Sequence, residues 1–254
     1  MKSPKANDLS RVRSAIHSER LHAEYIIDKT SIVWGRYDNL VGQYRVNRRS
    51  AIIASYSGMN PSKKVLEIGS GTGEYTKFFS KHMSKIFSVD ISWDFLDLAK
   101  KRHSFTNNKF CQAAVEFMPF KDNAYDAVVG NAILHHLNLE YALKEVHRVL
   151  KPGMPCVFIE PNMLNPQIAV QKNIKFIKKL SGDSLNETAF FSWRIKKALI
   201  KADFNDVYVK PIDFLHPAIP DFLFKFAKPI CIFLEKVPLI KEFSGSLLIY
   251  ARNS

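Results

Sequence analysis

Apolar residues recur at helix-like spacing through residues 8–58, with Ile16, Leu21, Tyr25 and Ile26 among them and few breakers between. From Lys64 the pattern changes to short β-type runs: Val65–Ile68, Ile86–Val89, Phe110–Ala113, Tyr125–Val129 and Cys156–Ile159. Helical stretches lie between them near 74–82, 93–103 and 138–149, the last stopped by Lys151-Pro152-Gly153. This alternation predicts an α/β fold with a parallel, doubly wound sheet. Past Glu160 the alternation pauses. A helix is expected over Ala189–Ala202, a strand over Asp206–Val209 and a last strand over Ser246–Tyr250, with irregular insertions at 161–188 and 211–243. The organisation expected is an N-terminal helical extension or lid over 1–58 and one α/β domain over 59–254, both insertions leaving the sheet where ligands normally sit.

Length and composition agree with that picture. The 254 residues are 46% hydrophobic and 12% aromatic, enough for a sizeable core and against a disordered chain. Cys111, Cys156 and Cys231 are too few and too far apart for a disulfide framework, and no metal-ligand spacing stands out, so no metal is expected. The start has no apolar signal core and no stretch suits a membrane span, which predicts a cytoplasmic protein. The net charge is +13 and uneven. Residues 1–50 carry 10 basic and 5 acidic side chains and 161–210 carry 9 and 4, against 13 and 11 over 51–160. Such basic flanks would attract an anionic partner or simply keep the surface solvated.

The densest chemistry is Val65-Leu66-Glu67-Ile68-Gly69-Ser70-Gly71-Thr72-Gly73-Glu74, a buried strand running through three alternating glycines into a helix. Glycine suits a tight turn that a ligand approaches without a Cβ in the way, and the helix N-terminus behind it offers amides to an anion. A dinucleotide turn would want glycine at 74, where Glu74 would face a pyrophosphate. The second strand ends in Asp90, 17 residues beyond Gly73, where a carboxylate can accept hydrogen bonds from ribose hydroxyls.

With these residues in place, the chain resembles the class I S-adenosylmethionine-dependent methyltransferases of the type 11 kind. The resemblance rests on VLEIGSGTG, SVDIS, VEFMPF, YDAVVGNAILHHL and EVHRVLKPG in order, and covers roughly residues 45–160. It implies a Rossmann-like seven-stranded sheet with an antiparallel last strand, and S-adenosylmethionine as cofactor. By position, Gly69, Ser70, Gly71, Thr72 and Gly73 would wrap its methionine end with Glu67 close by, and Asp90 would hold the ribose. Ile91 would lie against the adenine, Val115 and Glu116 would stand at its amino group, and Asn131 would lie beneath the reactive methyl. The chain departs from the pattern at Ala114, where many members carry aspartate.

The sulfonium methyl is already activated, so the protein mainly has to align a nucleophile with it. His136, and less so His135, stand where a general base would be useful, with packing or cofactor shaping as the bland alternative. Glu160, at the tip of the fifth strand, would orient an acceptor hydroxyl or amine, or be an ordinary strand-end acid. His147 is expected at the surface or in packing.

In the second insertion, Asp221, Lys225, Lys228, Glu235 and Lys236 fall on one helical face and Phe222, Phe226, Ile230, Phe233 and Leu234 opposite, with Pro229 expected to kink or divide the helix. This face could roof an apolar substrate, pack on the domain, or lie on the inner membrane face. In the first insertion, Lys172, Lys175, Lys178 and Lys179 can share one helical face and meet a phosphate on the acceptor, or be solvated. The leading expectation is methyl transfer to a small-molecule or lipid-type acceptor. An RNA methyltransferase is the alternative, although no NPPY-type tetrapeptide follows the fourth strand and Cys156 lies inside a strand. A non-catalytic cofactor-binding regulator is the reading of another class, and a nicotinamide-dependent reductase the weakest.

Overall fold

The computed structural model describes residues 6–26, 37–82, 85–103, 105, 108–180, 184 and 187–254. Two helices come first, α1 (Ala6–Ile26) and α2 (Leu40–Ser57). Asn39 caps α2 by accepting from the Gly42 amide at 2.7 Å, and Gly58 ends it in the left-handed region at φ 63°. The sheet strands are β1 (Lys64–Ile68), β2 (Lys85–Asp90), β3 (Asn108–Gln112), β4 (Ala127–Asn131), β5 (Pro155–Pro161), β6 (Phe204–Ile212) and β7 (Ser246–Asn253). Between them run α3 (Glu74–Phe79), α4 (Trp93–Arg102), α5 (Leu139–Val149), α6 (Pro166–Asn173), α7 (Lys175–Leu180), α8 (Ser192–Lys201) and α9 (Phe224–Leu234).

The strand order is β3-β2-β1-β4-β5-β7-β6, and β7 runs antiparallel to both neighbours. The central strands are buried on both faces, which is why they read as apolar runs without alternation. Each face has its own core. One gathers Leu66, Ile68, Val128, Phe158 and Ile249 with the α5 stripe Ala142, Leu143, Val146 and Val149; the other sets Val65, Ile86, Val129, Val157 and Leu248 against Ile53 and Ala54 of α2. Strand order reverses between β1 and β4, so the crevice beyond their carboxyl ends is the natural ligand position.

Several expected elements shift. The helix expected from Ala189 begins at Ser192, because Phe190 is held extended in a bridge with Asn162. Pro229 does not divide its helix: α9 continues through it. The carbonyl that loses a donor belongs to exposed Lys225, where water can replace the bond. The four lysines of the first insertion do not share one helix, since Ile174 is extended and separates α6 from α7. Among the described residues no helix is long and apolar enough to cross a membrane.

Candidate functional site

Beyond β1 the chain passes Gly69 (φ 66°), Gly71 (φ 51°) and Gly73 (φ 83°), all in the left-handed region that glycine tolerates best. The amides of Gly69 and Ser70 both donate to the Val89 carbonyl, at 2.8 and 3.1 Å, which ties the turn to β2. A Cβ on Gly69 would stand 2.4 Å from Cγ1 of Ile133, and one on Gly73 would stand 2.9 Å from Cβ of Ala99. Gly73 is therefore needed for packing against α4. Gly69, Ser70, Gly71 and Thr72 line the cavity that opens above the turn; Gly73 does not.

Asp90 ends β2 at the cavity wall. Its Oδ2 accepts from the Gly71 amide at 2.8 Å and its Oδ1 from the Ser92 amide at 2.9 Å. Burial raises its pKa, partly opposed by the amides of Ser92, Gly71 and Ile91. Glu67 lies behind the turn rather than on the cavity surface. Thr76 and Ser88 each donate a hydroxyl to its Oε2 at 2.6 Å, and burial lifts its pKa to about 7 against those two bonds. Glu67 thus braces the turn.

The cavity has a volume of about 420 Å³, within the range of roughly 300–1,000 Å³ typical of small-molecule sites. Asp90, Ile91, Ala114, Val115 and Glu116 line it, as do Asn131, Ala132 and Ile133. Residues of α1, α2, α6 and the stretch 213–217 line the rest. Glu116 accepts from the Asn138 amide at 3.0 Å, and burial raises its pKa. Ala132 sits at φ 53°, a strained setting for a side-chain-bearing residue, and its amide donates to the Ile159 carbonyl at 2.8 Å.

The two histidines differ. His135 is buried, with Nδ1 2.6 Å from Glu160 Oε2 and Nε2 3.4 Å from Glu187 Oε1. Burial opposes its charge, but those two carboxylates outweigh it and raise its pKa to about 9. Glu160 spends its other oxygen on the Ile133 and Leu134 amides at 2.9 and 2.8 Å. It lies beneath the cavity and is not among its lining residues, so it shapes the loop after β4 instead of facing an acceptor. His136 is half-exposed, lines the cavity and lies 3.2 Å through Nδ1 from Oε2 of Glu19 in α1. His135, His136 and Glu187 bring three ligand-type atoms within 4.8 Å of one another. Their charges are already balanced within the protein, because Lys172 pairs with Glu187 and the imidazoles face carboxylates. Burial would raise Glu187; its bond to His135 and the charges of His136, His135 and Lys172 hold it far below the carboxylate range.

On the opposite wall Asp213 Oδ2 accepts from Arg45 Nε at 3.2 Å and from Arg49 Nε at 2.8 Å. Burial would raise this carboxyl, yet the two guanidiniums lower it to about 2. Arg49 also donates to Ser246 Oγ at 2.7 Å and approaches Asn131 Oδ1 at 3.5 Å, joining α2, β7 and the end of β4.

A family model for a methyltransferase domain matches residues 66–158, the stretch holding the glycine turn, Asp90, Asn131 and both histidines. Solved methyltransferases share the fold. The geranyl diphosphate C-methyltransferase of Streptomyces coelicolor, crystallised with S-adenosylhomocysteine, superposes with a TM-score of 0.58 at 16% identity over 82% of this chain and 79% of its own. Residues 66–158 are therefore similar to a methyltransferase domain. Among curated relatives, the ubiquinone/menaquinone biosynthesis C-methyltransferase UbiE of Hahella chejuensis is 30% identical over 55% of this chain and 59% of its own length. The demethylmenaquinone methyltransferase of Chlorobaculum tepidum is 34% identical over 45% of this chain and 46% of its own. The chain thus spans about half the length of these two methyltransferases.

The cavity brings together Gly69, Ser70, Gly71, Thr72, Asp90, Ile91, Val115, Glu116, Asn131 and His136 of the residues expected from sequence, and leaves Glu67, Gly73 and Glu160 in supporting layers. Sequence alone missed Glu19, Arg45, Arg49, Glu187 and Asp213, and singled out Lys172 for a different partner. The arginines carried one signal: Arg45 and Arg49 are one helical turn apart on α2, beside apolar positions that had to face the sheet. Nothing near Asp213 pointed to it.

Proposed function

We propose that the protein transfers the methyl of S-adenosylmethionine to a small-molecule or lipid-type acceptor with an apolar body, drawn from a membrane face or from solution. The observation that carries this reading is one cavity lined together by the glycine turn, the strand-tip carboxylate Asp90, His136 and several apolar side chains. The residues present suit the cofactor. The Gly69–Thr72 backbone would hold the methionine end, and Asp90, with each oxygen spending one bond on an amide, keeps lone pairs for ribose hydroxyls. Ile91 and the Ala114–Glu116 loop would flank the adenine, with Ala114 leaving its amino group to backbone and Glu116. Bound there, the cofactor supplies a methyl already activated on a sulfonium.

The chain's own residues then position, shield and deprotonate. Ile16, Ala23, Ile133, Leu137, Ile168 and Leu215 exclude water around an apolar acceptor. Glu19 engages His136 through Nδ1, which favours the tautomer whose Nε2 carries the lone pair, the form in which His136 would accept an acceptor proton. Arg45 and Arg49 share one carboxylate, so this wall keeps a surplus positive charge that would suit an anionic group on the acceptor. In this reading residues 1–58 act as the lid, with α1 and α2 both contributing lining residues.

Calorimetry with S-adenosylhomocysteine and, separately, NAD tests the assignment. Heat with the first and none with the second is expected; no heat with S-adenosylhomocysteine on folded protein would sink it.

A further inference from the structure

Helix α9 and the residues beside it leave their largest apolar side chains in solvent. Its sequence is the most apolar of the helices, yet none of its residues is buried. Phe222, just ahead of it, is 76% exposed, Phe226 70%, Phe233 64% and Ile230 58%, and Leu239 in the following turn is 79% exposed. Two acids of the same segment are instead bonded to the protein body. Asp221 accepts from the Leu40 amide at 3.1 Å, and Glu235 forms a bidentate pair with Arg48, at 2.7 Å to Nη1, while also accepting from the Asp213 amide at 3.1 Å. Lys228 folds over the Tyr44 ring, 4.6 Å from its centre, and Phe224 meets that ring edge-on. Phe224, Ala227, Cys231, Ile232 and Leu234 are partly covered, whereas Phe222, Phe226, Ile230 and Phe233 stay in solvent and gain little from burial.

We propose that this face is a docking surface for an anionic lipid bilayer. The charge pattern selects that occupant. The acids Asp221 and Glu235 are spent on the protein body, whereas Lys225 and Lys236 stand exposed beside the apolar ridge. What faces outward is apolar and positive, on a chain whose net charge is +13. The ridge continues through exposed Leu239, Ile240 and Phe243, and Asn165 at the start of α6 donates to the Phe243 carbonyl at 2.8 Å. The surface also sits one helix from the cavity. Tyr44 and Arg48 of α2 hold α9, while Gly42, Arg45, Val46 and Arg49 of the same helix line the cavity. Docked this way, the chain sets the cavity rim at 213–217 beside the bilayer. The delivery of an apolar acceptor through that rim rests on the methyl-transfer reading; the docking itself does not.

The test is co-sedimentation of the full chain with vesicles of equal parts phosphatidylglycerol and phosphatidylcholine, against vesicles of phosphatidylcholine alone. Binding to the mixed vesicles, weaker binding to the neutral ones and loss on raising salt are expected. Phe222→Ser with Phe226→Ser should lower the partition coefficient at least tenfold on mixed vesicles, with circular dichroism and S-adenosylhomocysteine binding unchanged. Lys225→Glu with Lys236→Glu should remove most of the preference for the anionic vesicles. Absence of binding by the parent chain, or equal partitioning of parent and double-serine variant, overturns the proposal. So does a concentration-dependent dimer that the serine substitutions abolish, since a second copy would then cover the face. A chain that binds vesicles but gives no heat with S-adenosylhomocysteine would fail the methyl-transfer reading and leave the docking intact.

Discussion

The two walls of the cavity bury carboxylates in opposite ways. On the glycine-turn wall, Glu67 and Asp90 are bonded only to neutral donors, namely hydroxyls of Thr76 and Ser88 and amides of Gly71 and Ser92. Burial wins there and both pKa values rise. On the wall built from α2 and the insertions, Asp213 faces Arg45 and Arg49, and Glu187 faces Lys172 and two histidines. Cations win there and both values fall. The first pair rests on neutral hydroxyls and amides, with Asp90 alone of the two at the cavity surface; the second is a set of clamps joining separate segments.

Removing a clamp should produce the largest effect. Asp213→Ala leaves two guanidiniums facing a buried gap and is expected to cost about 3–5 kcal/mol in urea unfolding; a loss under 1 kcal/mol would dissolve the contrast between the walls. Gly73→Ala forces a side chain into φ 83° and against Ala99, and should cost about 1–3 kcal/mol with little change in affinity for S-adenosylhomocysteine. A selective loss of affinity would instead return Gly73 to the ligand surface. Asp90→Ala should weaken that affinity at least tenfold by calorimetry, about 1.4 kcal/mol, and an unchanged dissociation constant would refute its place at the ribose.

The smallest effect has the opposite sign. Glu67→Gln keeps an acceptor for both hydroxyls and removes a buried charge, so at pH 8 it should stabilise the fold by about 1 kcal/mol. The pH dependence follows from the same directions. Glu67 has a folded pKa of about 7 against an ordinary 4.5, so its contribution is complete below 4.5 and lost as pH rises through 7. His135, raised to about 9 from 6.5, contributes fully below 6.5 and loses this as pH rises through 9. Asp213, lowered to about 2 from 3.8, contributes above 3.8 and loses this as pH falls through 2. Stability curves of Asp213→Asn and Glu67→Gln, compared with the parent, should therefore diverge at opposite ends of the pH scale.

The glycine-turn wall was legible residue by residue because its chemistry is local. Gly69–Thr72 follows one strand directly, Asp90 ends the next, and strand order puts both at the same crevice. What was misjudged there was depth: Glu67 and Gly73 share the motif with Gly71 but point behind the turn. The clamp wall was illegible for the converse reason. Glu19, Lys172, Glu187 and Asp213 come from four separate segments, and a charged residue in a polar stretch reads as solvated until its partner is known. Lys172 illustrates this, expected on a shared face with three other lysines and found buried against Glu187. For α9 the helical wheel set acids and lysines together, and only the fold could say that Asp221 and Glu235 bond to the protein body while Lys225 and Lys236 stay exposed.

The sequence by itself pointed to the α/β alternation, the position of the crevice and the resemblance to a methyltransferase domain, since apolar period and turn chemistry act over a few neighbouring residues. The tertiary structure alone decided which charges neutralise one another, that α1 and α2 line the cavity, and that an apolar ridge stays uncovered. Those outcomes depend on distances between separate segments, 15 residues apart in sequence for Lys172 and Glu187 and 164 for Arg49 and Asp213, and such distances exist only once the core has packed.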